Sequence, residues 1–101
     1  GEANGVPALP AEMSRADWQQ ALLASYEDFC TQVDEAEGSA RDTLFDPYAA
    51  ENPSEFFAVM SEAFFETPDA LRAQYPAFYE QLAAFYRQDP AARMRPASAL
   101  Q

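Results

Sequence analysis

The chain contains no histidine, no lysine and a single cysteine, Cys30. Without histidine, none of its serines (Ser14, Ser25, Ser54 and Ser61 among them) has an imidazole base, and Cys30 has none either. The nitrogen-rich zinc site of most hydrolases cannot be completed from these residues alone. One cysteine forms no internal disulfide and no cysteine metal cluster. Its place in an apolar stripe marks Cys30 as a small core residue, and a reduced thiol fits a cytoplasmic setting.

Positive charge is scarce as well. Six arginines face 17 acidic residues over 101 positions, a formal net charge of −11. Phosphate backbones and anionic lipid surfaces both select basic faces, so nucleic acid and membrane are excluded as electrostatic partners. No apolar run approaches the ~20 residues that cross a bilayer. The opening Gly1–Pro7 lacks the charged and apolar regions of a signal peptide. The absence of a leading methionine is read as a processed or truncated end.

What is present is apolar and aromatic: 49% hydrophobic residues and 14% aromatic. That composition predicts a folded chain, and its length suits one small domain. Residues 1–13 read as an extended lead-in. Ser14-Arg15-Ala16-Asp17 has the form of a helix cap, and Trp18, Leu22, Tyr26, Phe29 and Val33 then recur at three- and four-residue spacing. That helix fades between Glu35 and Gly38. Residues 37–51 form an acidic connector with a turn at Asp46-Pro47. Asp34, Glu35, Glu37, Asp42 and Asp46 lack the glycine-centred spacing of a calcium loop and read as solvated charge.

Asn52-Pro53 is a cap followed by a first-turn proline, predicting a helix to about Glu66. Thr67-Pro68-Asp69 repeats that grammar for a short helix to Gln74. Pro76 opens another, with Phe78, Tyr79, Leu82, Phe85 and Tyr86 at core spacing, stopped by Asp89-Pro90. Residues 91–101 read as a frayed tail. Period-two alternation persists nowhere. The expected fold is all-α: one domain over 1–101, a small irregular bundle of about four helices with an extended N-terminal segment.

The helix after Asn52 carries the chemistry. On the helical wheel Glu62 and Glu66 lie about 20° to either side of Glu55, opposite a wide arc of Phe56, Phe57, Met60, Ala63 and Phe64, with Phe65 at its flank. Glu55 has two readings. At the third helical position it fits a capping box and complements the helix dipole, with Glu62 and Glu66 facing water. Alternatively it is the carboxylate of a two-histidine, one-glutamate zinc site, whose histidines commonly share an H-E-x-x-H helix, with Glu62 orienting a ligand from behind. Tyr48 is either a packed aromatic or a donor to a developing oxyanion.

The run from Asp46 to Phe65, DPYAAENPSEFFAVMSEAFF, resembles the C-terminal part of the Mlc titration factor A family of bacterial zinc-dependent peptidases. The likeness continues through Pro68, Tyr75-Pro76 and Phe85-Tyr86-Arg87-Gln88-Asp89-Pro90. Gly1–Pro7 resembles the segment just after the family's H-E-x-x-H helix. This resemblance implies an all-helical part of a metallopeptidase. Within it Glu55 is the third zinc ligand, Tyr48 is a tyrosine near the active site, and Glu62 has a supporting role. Asn4-Gly5 would shape the loop leaving the metal-binding helix.

Both histidines and the general-base glutamate between them are absent from the chain. The resemblance therefore implies a C-terminal fragment that is catalytically incompetent and binds no zinc alone. Its first partner would be the missing N-terminal half, and the intact parent would hold zinc and act on peptides. Exposed apolar surface predicts self-association of the fragment through the carboxylate helix. The alternative is a non-catalytic acidic module that binds a protein partner such as a transcriptional regulator.

Overall fold

In the computed structural model, residues 8–37, 43 and 45–93 are described. Gly1–Pro7, the expected stop at Gly38, most of the acidic connector and the tail from residue 94 lie outside them. The helices are α1 (Arg15–Glu37), α2 (Pro53–Glu66), α3 (Pro68–Gln74), α4 (Pro76–Tyr86) and α5 (Pro90–Arg93), with a 3-10 turn at Pro47–Ala50. No strand occurs among the described residues, so the fold is all-α.

α1 starts where its cap predicts: the Ser14 hydroxyl accepts the Asp17 amide at 3.1 Å. Its apolar stripe is the floor of the core, with Trp18, Leu22 and Phe29 fully buried. The 3-10 turn is held by Asp46, whose carboxylate accepts the Tyr48 amide at 3.0 Å, and proline occupies its first position.

From Pro53 to Tyr86 the chain is nearly continuous helix, interrupted at two residues. Thr67 and Tyr75 have φ/ψ of −134°/60° and −133°/70°. Each precedes a proline, whose ring disfavours helical backbone in the residue before it. Neither residue caps the next helix with its side chain. Instead their backbone carries the junction. Thr67 N–H donates to Ala63 O at 2.8 Å while its carbonyl accepts from Leu71 at 3.2 Å, and Tyr75 does the same with Leu71 and Tyr79 at 2.8 and 2.9 Å. With these two breaks α2 and α4 pack against α1, while α3 packs on α2 and α4.

The core is largely aromatic. Phe56 of α2 stacks on Phe78 of α4 at 5.6 Å, and Trp18 meets Phe57, Phe78 and Phe85 at 5.5 Å each. Offset and edge-on pairs of this kind contribute roughly 0.5–1.5 kcal/mol beyond the area they bury. Tyr86 of α4 donates to the Ser61 hydroxyl of α2 at 3.0 Å, pinning the two helices at their far end.

The lead-in is non-helical over residues 8–13 and lies on the body of the molecule: Leu9 and Met13 pack against the core and Glu12 pairs with Arg87 at 3.1 Å. One expectation needs correction: the tail does not fray from residue 91, since the chain is helical through Arg93. Asp89-Pro90 does end α4, but one further helical turn follows, and Ala91 is fully buried. Its amide donates to the Tyr79 hydroxyl at 3.0 Å, and that hydroxyl in turn donates to Asp89. A contact across ten or more residues orders this segment, and no local pattern announces it.

Candidate functional site

The expected site residues fall on the 3-10 turn and α2, which pack directly on each other. Only Glu51 and Asn52 separate the two elements. Asn52 has extended backbone and accepts the Glu55 amide through its side chain at 2.9 Å. This is half of a capping box. The reciprocal half, in which the Glu55 carboxylate would reach back to the Asn52 amide, is not formed. Among the described residues the half-buried Glu55 carboxylate has no hydrogen-bond or ion-pair partner.

The rest of the carboxylate face is more open than its neighbours in sequence suggest. Ala58, Glu62, Phe65 and Glu66 are exposed, while Phe56, Met60, Ala63 and Phe64 are buried on the other side. Phe65 is one of three large apolar side chains exposed among the described residues, at 44%. Glu62 lies seven residues beyond Glu55, about 10 Å along the axis at 1.5 Å per residue. It cannot touch the Glu55 carboxylate directly.

Tyr48 is 54% exposed and is not a packed core aromatic. Its backbone is fixed at both ends: the amide by Asp46, the carbonyl by the Glu51 amide at 3.0 Å. The turn is further anchored to α1. The Ala50 carbonyl accepts the Tyr26 hydroxyl at 3.2 Å and the Cys30 thiol at 3.8 Å. Cys30 is thus half-buried and oriented toward this carbonyl rather than lost in the core. Burial, the Cys30 contact and the negative Glu51 all push the Tyr26 phenol above its usual range.

A second polar group, not foreseen from sequence, joins α1 to the α3–α4 break. Tyr75 donates to Asp28 at 2.9 Å, and Gln32 donates to the same carboxylate oxygen at 2.8 Å. Burial first, and then the Asp28 hydrogen bond and charge, raise the Tyr75 phenol strongly. The Asp28–Gln32 half is an ordinary i, i+4 pair and was open to prediction. The tyrosine is 47 positions away and was not. This cluster lies at the α3–α4 junction, where the Tyr75 ring also meets Phe56 edge-on at 6.2 Å.

No group of three or more cysteine, aspartate or glutamate side chains among the described residues is placed to hold a metal ion. Glu55 alone does not fit a zinc ion. At most it supplies one oxygen ligand to a site completed by other residues. No described helix is long and apolar enough to cross a membrane.

Residues 1–87 match the family described as glucose-regulated metallo-peptidase M90. Mlc titration factor A from Yersinia pestis (strain Pestoides F) is 40% identical over 97 residues, covering 94% of this chain and 34% of that protein. The protein of the same name from Yersinia pseudotuberculosis serotype O:1b (strain IP 31758) aligns with the same identity and coverage. The chain thus spans about a third of the length of these relatives. It belongs to the glucose-regulated metallo-peptidase M90 family.

Proposed function

We propose that this M90-family chain is the C-terminal helical part of a zinc-dependent peptidase, to which it contributes Glu55 as the third zinc ligand. The observation that carries the reading is the state of Glu55. It sits at a rigid, capped helix start, half-buried, with its amide engaged by Asn52 and its carboxylate left without a partner. A capping glutamate would use that carboxylate on the helix end. A ligand leaves it free for an ion.

In this reading the two histidines and the general base lie in the two-thirds of the relatives that the chain does not match. Zinc supplies Lewis acidity to a peptide carbonyl in such sites. The residues of this chain position and polarise. The fixed backbone around Tyr48 aims its exposed phenol outward, where it would donate a hydrogen bond to oxygen that gains negative charge during peptide hydrolysis. Glu62 is too far from Glu55 to orient it. Its supporting role would run through a histidine brought in from outside the described residues.

The test uses the longer protein encoded around this chain. An H-E-x-x-H motif should precede Gly1, and its absence would sink the proposal. Glu55→Gln keeps size and helix cap but removes the anionic ligand. Zinc per chain, measured by atomic emission, should fall together with peptidase activity. Glu62→Gln should weaken zinc by roughly ten- to hundredfold, the usual scale for a group behind the ligands. Unchanged zinc in Glu55→Gln means the ligand is elsewhere.

A further inference from the structure

We infer that Tyr26 of α1 is a positioning residue: its hydroxyl, through the Ala50 carbonyl, sets where the Tyr48-bearing turn sits against the start of α2. The inference rests on the role proposed for Tyr48 and adds the residue through which α1 controls it.

The geometry runs through one acceptor. A carbonyl oxygen carries two lone pairs, and Ala50 O uses them for two donors one helical turn apart on α1, Tyr26 and Cys30. The turn also packs on α1 and α2, but among the described residues no other hydrogen bond joins it to either helix. Ala49 is fully buried, Ala50 is half-buried, and Pro47 and Tyr48 are exposed. The remaining hydrogen bonds are internal: Asp46 to the amides of Tyr48 and Ala49, and Tyr48 to the amide of Glu51, each at 3.0 Å. They shape the turn but do not place it.

The same tyrosine also touches the other half of the site. Its ring meets Phe56 edge-on at 5.7 Å, and Phe56 follows Glu55 directly. One side chain therefore contacts the segment before Asn52 by its hydroxyl and the helix after it by its ring. That is the arrangement needed to keep the Tyr48 phenol and the Glu55 carboxylate in fixed relation.

Tyr26→Phe separates the two contacts, since it retains the ring against Phe56 and deletes only the donor. The first readout is amide hydrogen exchange on this chain. Loss of one part-buried hydrogen bond should speed exchange at the Ala49 and Glu51 amides by roughly two- to tenfold. The Tyr79 amide in α4, bonded to Tyr75 O at 2.9 Å, serves as the internal reference and should not change. Unchanged exchange at Ala49 and Glu51, or equal acceleration at Tyr79, overturns the inference.

The second readout is peptide hydrolysis by the longer protein carrying Tyr26→Phe, Tyr48→Phe or both. Tyr26→Phe should lower kcat by roughly two- to tenfold with KM nearly unchanged, and should add nothing once Tyr48 is already phenylalanine. An equal kcat loss in both backgrounds indicates a general structural defect and overturns the positioning role. If Tyr48→Phe itself leaves kcat intact, the catalytic reading of Tyr48 fails, while accelerated exchange still supports the clamp. The two failures are thereby told apart.

Discussion

Asn52 and Glu55 share one hydrogen bond, yet their side chains do different work. The Asn52 side chain satisfies the Glu55 amide at 2.9 Å. Replacing it by alanine should cost about 1 kcal/mol, the usual value of a side-chain cap. Glu55→Gln touches no hydrogen bond among the described residues, so urea denaturation of the chain should place it within about 0.5 kcal/mol of the parent. A loss near 1 kcal/mol for both variants would mean that the carboxylate serves the cap after all. The cap was legible in the sequence because it is local: asparagine, proline and glutamate within four positions. The vacancy of the carboxylate was not, since it depends on which groups fail to arrive. Tyr26 shows the same limit. Its place in the apolar stripe could be read from spacing, but its bond to a backbone carbonyl 24 residues away carries no sequence signal.

At the scale of elements, proline punctuation made the helices after Asn52 readable. Pro53, Pro68, Pro76 and Pro90 each stand at the first position of a helix. A proline ring clashes with helical backbone in the preceding residue, so the start of one helix and the end of the last are fixed together. The 3-10 turn follows the same rule at Pro47, although the sequence suggested only a turn there. α4 ends differently. Arg87 takes left-handed backbone at φ 56° and ψ 42°, and the Gln88 amide closes back onto Ala83 O at 3.1 Å. Glycine is the residue suited to that position, and a side chain there costs ~1–2 kcal/mol. Arg87 does pair with Glu12, but the two side chains are 70% and 61% exposed, and such pairs contribute about 0–1 kcal/mol. The conformational cost should win. Arg87→Gly is expected to raise the midpoint of urea unfolding, and Glu12→Gln to change it little. A fall in both would show that the ion pair holds the lead-in against α4.

Besides Tyr86, which bonds Ser61, three tyrosines join separate elements of the molecule: Tyr26 to the 3-10 turn, Tyr75 to Asp28 of α1, and Tyr79 to the α5 segment. Burial raises all three phenols, aided at Tyr26 by Cys30 and at the other two by an aspartate that accepts the hydrogen bond. In the unfolded chain a tyrosine loses its proton near pH 10. Above that point the unfolded state sheds protons that the folded state still holds, so stability falls as pH rises. Below it both states are protonated and the contribution is fully present. Unfolding free energy should therefore be insensitive to these groups from pH 7 to about 9.5 and then decline steeply. Tyr75→Phe should make that alkaline decline shallower, because it deletes the most strongly shifted of the three, while lowering stability at pH 7 by about 1–2 kcal/mol through loss of the Asp28 bond. Urea titrations at pH 7, 9 and 11 check both parts. An alkaline slope unchanged by Tyr75→Phe would place the pH sensitivity in other groups and remove Tyr75 as the link between α1 and the α3–α4 break.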